Sequence, residues 1–168
     1  FGRYGLTLGG TWVPNTEYAN PATRDLLLAE VKTMTEQYKN TPGVLLYLLG
    51  NENNYGLFWE GAETEDIPVQ DRKSTARATA LYKLFNEAAV AMKGIDQAHP
   101  VAMCNGDLLF LDIIAKECKD VDIYGTNMYR GVSFGDAFQK VKDGFNKPLL
   151  FTEFGADAFN ARDNEEDQ

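Results

Sequence analysis

The chain has 168 residues, 44% of them hydrophobic and 24% charged, a balance that suits one globular domain with a sizeable core and excludes a disordered or fibrous chain. Its formal charge of -9, with Lys and Arg scattered along the sequence, argues against nucleic acid or any other polyanion as a partner. No apolar run approaches the ~20 residues of a membrane-crossing helix, and two cysteines with a single histidine make neither a disulfide framework nor a Cys/His metal centre.

Taken in chain order, the elements alternate. Tyr4 to Gly10 is short, apolar and bounded by glycine, and is expected to be a buried strand. Asn20 followed by Pro21 is an N-cap and first-turn pair; Leu27, Val31, Met34 and Tyr38 then recur at helical spacing until Asn40, Pro42 and Gly43 end the helix. Val44 to Leu49 is a second strand, which breaks off into the polar series Gly50, Asn51, Glu52, Asn53 and Asn54. After a loop with Trp59 and the acidic run Glu63 to Asp66, read as a solvated loop, a long helix carries Leu81, Leu84, Phe85, Ala88 and Met92 on one face and ends near Gly94. His99 falls in the next connection, where a structural role is expected.

Pro100 to Asn105 is a strand, and Asp107 is placed to cap a short helix through Leu111, Ile114 and Cys118. Val121 to Asn127 is a further strand. Ser133 and Asp136 resemble a capping box that opens a helix with Phe134, Phe138, Val141 and Phe145 inward. Pro148 to Gly155 is the last strand. Both cysteines, Cys104 and Cys118, read as ordinary buried or half-buried thiols. Continuous apolar strands alternating with helices imply a parallel sheet covered by helices. Periodicity leaves two arrangements open, an open five-stranded sheet or part of a closed barrel, since a complete eight-stranded barrel takes about 250 residues.

In such folds functional groups gather at the carboxyl ends of the strands. That rule selects Asn51 and Glu52, Asn105 and Asp107, Asn127 and Tyr129, and Glu153, the last set among Leu149, Leu150, Phe151 and Phe154, where an unpartnered charge is costly. Two carboxylates facing one substrate from different strands suit acid/base or acid/nucleophile chemistry, of which glycoside hydrolysis is the plainest case. Position alone leaves equal room for Glu52 as a solvated loop acid and Glu153 as an ion-paired core residue.

Three segments carry a resemblance. "TPGVLLYLLGNENNYG" resembles the fourth-strand segment of the family 2 glycoside hydrolases, the β-galactosidase and β-glucuronidase group; "YGTNMYRG" resembles their sixth-strand Gly-x-Asn-x-Tyr pattern; "KPLLFTEFGADA" resembles their seventh-strand segment. The resemblance implies a partial (β/α)8 TIM barrel, approximately strands 3 to 7 with their helices, with residues 1–168 forming a single truncated catalytic domain. It implies a retaining β-glycosidase with Glu52 as acid/base, Glu153 as nucleophile, Asn51 on the substrate 2-hydroxyl and Tyr129 donating to Glu153. Asn127 would shape the sixth-strand loop. Trp59 and Tyr55 lie in the following loop, where stacking on a sugar ring and ordinary packing stand as equal alternatives, with weaker claims for Trp12 and Arg130, and Asn53 or Asn54 would satisfy the turn backbone. A carbohydrate substrate, no metal or organic cofactor, and a homo-oligomer or further domains covering the open barrel edges follow from it. A transglycosylase using the same glutamates and a non-catalytic carbohydrate-binding piece are the alternatives.

Overall fold

The computed structural model describes residues 18–58 and 74–155. The expected strand at Tyr4 to Gly10, together with Trp12, Trp59 and the acidic run, lies outside the described residues.

The elements are α1 (Pro21–Tyr38), β1 (Tyr47–Leu49), a 3-10 turn (Tyr55–Phe58), α2 (Ser74–Lys93), β2 (Val101–Met103), β3 (Asn105–Gly106), α3 (Leu111–Glu117), β4 (Tyr124–Tyr129), α4 (Ala137–Gly144) and β5 (Leu149–Gly155). β1 pairs with β2, β3 with β4 and β4 with β5, every pair parallel. An isolated bridge from Ala102 to Ile123 has the same stagger as the Asn105–Thr126 pairing. β2 and β3 are therefore one physical strand interrupted at Cys104. The sheet runs β1, β2/β3, β4, β5 in chain order, and it does not close on itself among the described residues.

That order sets the sheet apart from a doubly wound one. A doubly wound sheet has a point where strand order reverses and its helices cover both faces. Among the described residues the order does not reverse, and α1 packs on α2, α2 on α3 and α3 on α4 as one consecutive layer. This is the order of an arc of a βα barrel.

The helices start where local chemistry allows. Asn20 accepts from the backbone N–H groups of Ala22 (2.9 Å) and Thr23 (3.4 Å), with Pro21 in the first turn. α1 buries Leu27, Val31 and Thr35, and Arg24 clamps it to α2 through the Ala80 carbonyl and the Glu87 carboxylate. α2 is the central beam of the helix layer: Ala78, Leu81, Tyr82, Leu84, Phe85, Ala88, Ala89 and Met92 are all buried. They meet Val101, Met103, Ile114, Cys118, Val121 and Tyr124 in one apolar cluster.

Three local expectations are corrected. Asp107 does not cap α3, whose N-cap is Phe110 at φ 62 without a side-chain bond; the Asp107 carboxylate is paired with the Arg130 guanidinium, a stronger partner than an amide. Ser133 and Asp136 form no capping box either. The Ser133 hydroxyl accepts from Gly135 N–H, while Asp136 pairs with Lys140 one helical turn on. Finally, Phe138 does not point inward with Val141 and Phe145. It is 55% exposed and lies edge-on to Phe151, against which Phe134 stacks at 4.2 Å.

Two backbone features place the site. Gly125 sits where β4 approaches β2 so closely that a Cβ there would run into the Met103 carbonyl oxygen. Thr126 of β4 pairs with Phe151 of β5 but Asn127 with Glu153, so Thr152 is the extra residue of a β-bulge in β5. The bulge brings Glu153 level with Asn127.

Candidate functional site

The carboxyl ends of the strands converge on a layer of polar side chains beneath two carboxylates. β1 ends at Gly50, whose φ of 73 is left-handed; a side chain there would also strike the Asn53 amide and the Phe85 ring. The chain turns sharply and returns over the sheet. Asn53 Oδ1 accepts from Asn51 N–H (3.0 Å), satisfying the turn as expected, and Asn54 exchanges both of its amide bonds with the backbone of Gly106 (2.7 and 3.0 Å). Glu52 is held at φ 51, a region that costs an L-residue roughly 1–2 kcal/mol, by its N–H bond to the Cys104 carbonyl and by the Tyr55 N–H on its own carbonyl. The Tyr55 ring lies over the backbone of Gly106, and the residue is 37% exposed.

Asn127, buried on β4, is the centre of the polar layer. Its Nδ2 donates to Asn51 Oδ1 (3.2 Å), and its Oδ1 accepts from Thr152 Oγ1 (2.5 Å) and lies 3.2 Å from Cys104 Sγ. Cys104 Sγ also lies 3.4 Å from Asn51 Oδ1 and 3.2 Å from Thr152 Oγ1. With its oxygen committed to this layer, Asn51 keeps its amide nitrogen as the end able to donate to a ligand.

The two carboxylates have different surroundings. Burial pushes the pKa of Glu52 up, a hydrogen bond from Asn127 opposes that rise, and the negative charge of Glu153 adds to it. Glu153 is not in the apolar pocket that its neighbours in sequence suggest: it is exposed, as is Phe154, and the phenol of Tyr129 donates to its Oε2 at 2.9 Å. The sequence of β5 is apolar, but β5 is the last strand of the arc, and its residues from Leu149 to Gly155 are at best half-buried.

Of the residues selected from the sequence, the structure brings Asn51, Glu52, Asn127, Tyr129 and Glu153 together. It does not add Asn105 or Asp107. Asn105 spends its amide on Tyr82, Tyr124 and the carbonyls of Asp107 and Leu109, which shapes the loop before α3. Arg130 is tied to Asp107 in an ion pair, which with the Leu108 N–H overcomes the effect of burial and holds the Asp107 pKa below the usual carboxylate value. His99 bonds Asp96 at the amino end of the sheet, away from the site. Sequence reasoning missed Cys104 and Thr152 as members of the layer. Thr152 lies within the seventh-strand segment, but only as the neighbour of Glu153, and Cys104 belongs to no motif; strand register, including the bulge, places both under Asn127.

Chemically, the arrangement offers a carboxyl biased toward its protonated form, a second carboxylate steadied by a phenol, and an amide donor beside the first. Among the described residues no group of three or more His, Cys, Asp or Glu is arranged to hold a metal ion, and no helix is long and apolar enough to cross a membrane. A family model described as "Glycosyl hydrolases family 2, TIM barrel domain" matches residues 7–166. No curated protein matches the chain.

Proposed function

The chain belongs to the family 2 glycosyl hydrolases, and from that premise we propose that it carries the catalytic machinery of a retaining β-glycosidase, with Glu52 as acid/base and Glu153 as nucleophile. The observation that carries this reading is the unequal treatment of two carboxylates on one polar layer: burial and the charge of Glu153 favour the protonated form of Glu52, while Tyr129 hydrogen-bonds Glu153.

In the first step a Glu153 oxygen attacks the anomeric carbon as the bond to the aglycone oxygen breaks, and that oxygen takes the proton from the Glu52 carboxyl. A glycosyl ester on Glu153 and an ionised Glu52 result. In the second step Glu52 removes a proton from water, the water oxygen attacks the same carbon, and Glu153 leaves as a carboxylate. Two inversions retain configuration. Asn51, its amide nitrogen available, donates to the substrate 2-hydroxyl, a contact that strengthens as positive charge builds on the ring. Tyr55 offers its exposed ring as an apolar wall, and Trp59 is assigned the same role from its place in the sequence alone.

The substrate in this reading is a β-linked carbohydrate, and residues 1–168 form one catalytic domain that provides part of a barrel. The test is covalent trapping. A panel of 2-deoxy-2-fluoro β-glycosides with good leaving groups is expected to label Glu153, located by peptide mass spectrometry, and Glu153→Gln is expected to abolish both labelling and aryl-glycoside turnover. Binding of sugars with no label and no leaving-group release would replace this reading with that of a carbohydrate-binding piece.

A further inference from the structure

The Asn127 amide poses a problem that the carboxylates do not. Its two ends are nearly equal in size and opposite in chemistry, one accepting and the other donating hydrogen bonds. Asn127 is buried, so the choice between them is made by its neighbours. On one side lie Asn51 Oδ1 and the Glu52 carboxylate, both acceptors; on the other lie the Thr152 hydroxyl and the Cys104 thiol.

We propose that Thr152 is a positioning residue of this site: by giving its one hydroxyl hydrogen to Asn127 Oδ1, it fixes the amide so that Nδ2 faces Asn51 and Glu52. The Thr152 oxygen, its hydrogen spent, then accepts from Cys104 Sγ–H, and the chain runs in one direction from thiol to hydroxyl to amide. Cys104 alone is a poor substitute. A thiol is a weak donor, and this one has three acceptors within 3.4 Å to share a single hydrogen among. With the amide reversed, Oδ1 would face two acceptors, Asn51 would lose its bond, and the ionised form of Glu52 would lose a donor. The bulge in β5 makes the contact available, since Thr152 is the residue left over between Phe151 and Glu153.

The significance of this role for turnover rests on the glycosidase reading, but its test does not. Thr152→Val keeps the branch that packs against Gly125 and removes only the hydroxyl. In the intact chain, carboxyl-carbon NMR of Glu52 is expected to show its titration midpoint displaced upward in Thr152→Val and restored in Thr152→Ser. Asp107, paired with Arg130, serves as an internal control and should titrate alike in all three proteins. The other groups facing Glu52 are Glu153 from β5, Tyr55 from the 3-10 turn and Cys104 from between β2 and β3; the first two are unchanged by the substitution, and loss of the Thr152 contact only reinforces the neutral form of the thiol.

An unmoved Glu52 midpoint in Thr152→Val, or an equal displacement in Thr152→Ser, overturns the proposal. Should Thr152→Val fail to fold, Thr152→Ala carries the same expectation. The wild-type chain gives an independent reading, because the Asn127 amide hydrogens should show nuclear Overhauser contacts to the Asn51 side chain and not to the Thr152 methyl; the reverse pattern overturns it without any variant. Displacement of Glu52 in a chain that neither turns over nor traps glycosides would leave the positioning role standing and remove the catalytic reading.

Discussion

At the scale of single residues, the two carboxylates are electrostatically linked, and this gives a prediction with a sign. The charge of Glu153 helps to raise the pKa of Glu52, so Glu153→Gln removes a like charge and the Glu52 midpoint should fall, as read by carboxyl-carbon NMR. An unchanged midpoint would mean that the two groups do not share one environment. Asn51, Glu52, Asn127, Tyr129 and Glu153 are legible in the sequence because they sit at the ends of apolar strands, where side chains have no packing duty. Their supports are not. Cys104 and Thr152 are ordinary strand residues by composition, and what they touch depends on the stagger of three strands and on one surplus residue.

At the scale of elements, the close approach of β2 and β4 is set by the absence of a side chain at Gly125. Because the obstacle is a backbone carbonyl, which cannot rotate aside, Gly125→Ala must push the strands apart; a loss of about 1–3 kcal/mol is expected, seen as a lower urea midpoint. At the amino end of the sheet, Asp96 accepts from the Tyr47 phenol (2.7 Å), from the backbone of Ala98 and His99, and bonds His99 Nδ1. Its pKa is depressed, chiefly by the Tyr47 bond, so the stability it contributes is complete above the ordinary Asp value of about 3.9 and is lost as pH falls below it. Tyr47, pushed up to about 12 by burial and by Asp96, contributes stability that is lost as pH rises from 10.0 toward that value. Urea midpoints across pH should therefore decline at both extremes, and Asp96→Asn should flatten the acid decline and lessen the alkaline one, which burial of Tyr47 still sustains. Helix boundaries are legible where the cap is a single residue, as at Asn20. They mislead where an aspartate has a better offer: Arg130 for Asp107, Lys140 for Asp136. Phe138 follows the helical period yet stays exposed, because period reports which side of a helix is apolar and not what lies opposite it.

At the scale of the whole molecule, the arc formed by the described residues displays apolar side chains on both flanks: Leu45 just before β1 and Leu48 within it, Phe154 on β5. Exposed strand edges with apolar groups beside them favour association. Sedimentation of the isolated chain should show concentration-dependent self-association despite the formal charge of -9, strengthening as salt screens that charge; a compact monomer at all concentrations would show that these flanks need no cover. The alternation of strands and helices is readable from periodicity, but the choice between an open sheet and an arc is not. It depends on strand order, which no local pattern encodes.

The line of side chains from Asn51 through Asn127 to Thr152 also has a geometric meaning. Neighbouring strands lie about 4.8 Å apart, so three steps from β1 to β5 span roughly 14 Å on a flat sheet, whereas the proposed retaining mechanism needs its carboxyls within about 5.5 Å of each other. The reach of the two glutamate side chains and the bending of the sheet together make up that difference. The amide and hydroxyl links act as a chord across the strands, tying the ends of β1, β4 and β5 to one another beside the two acids.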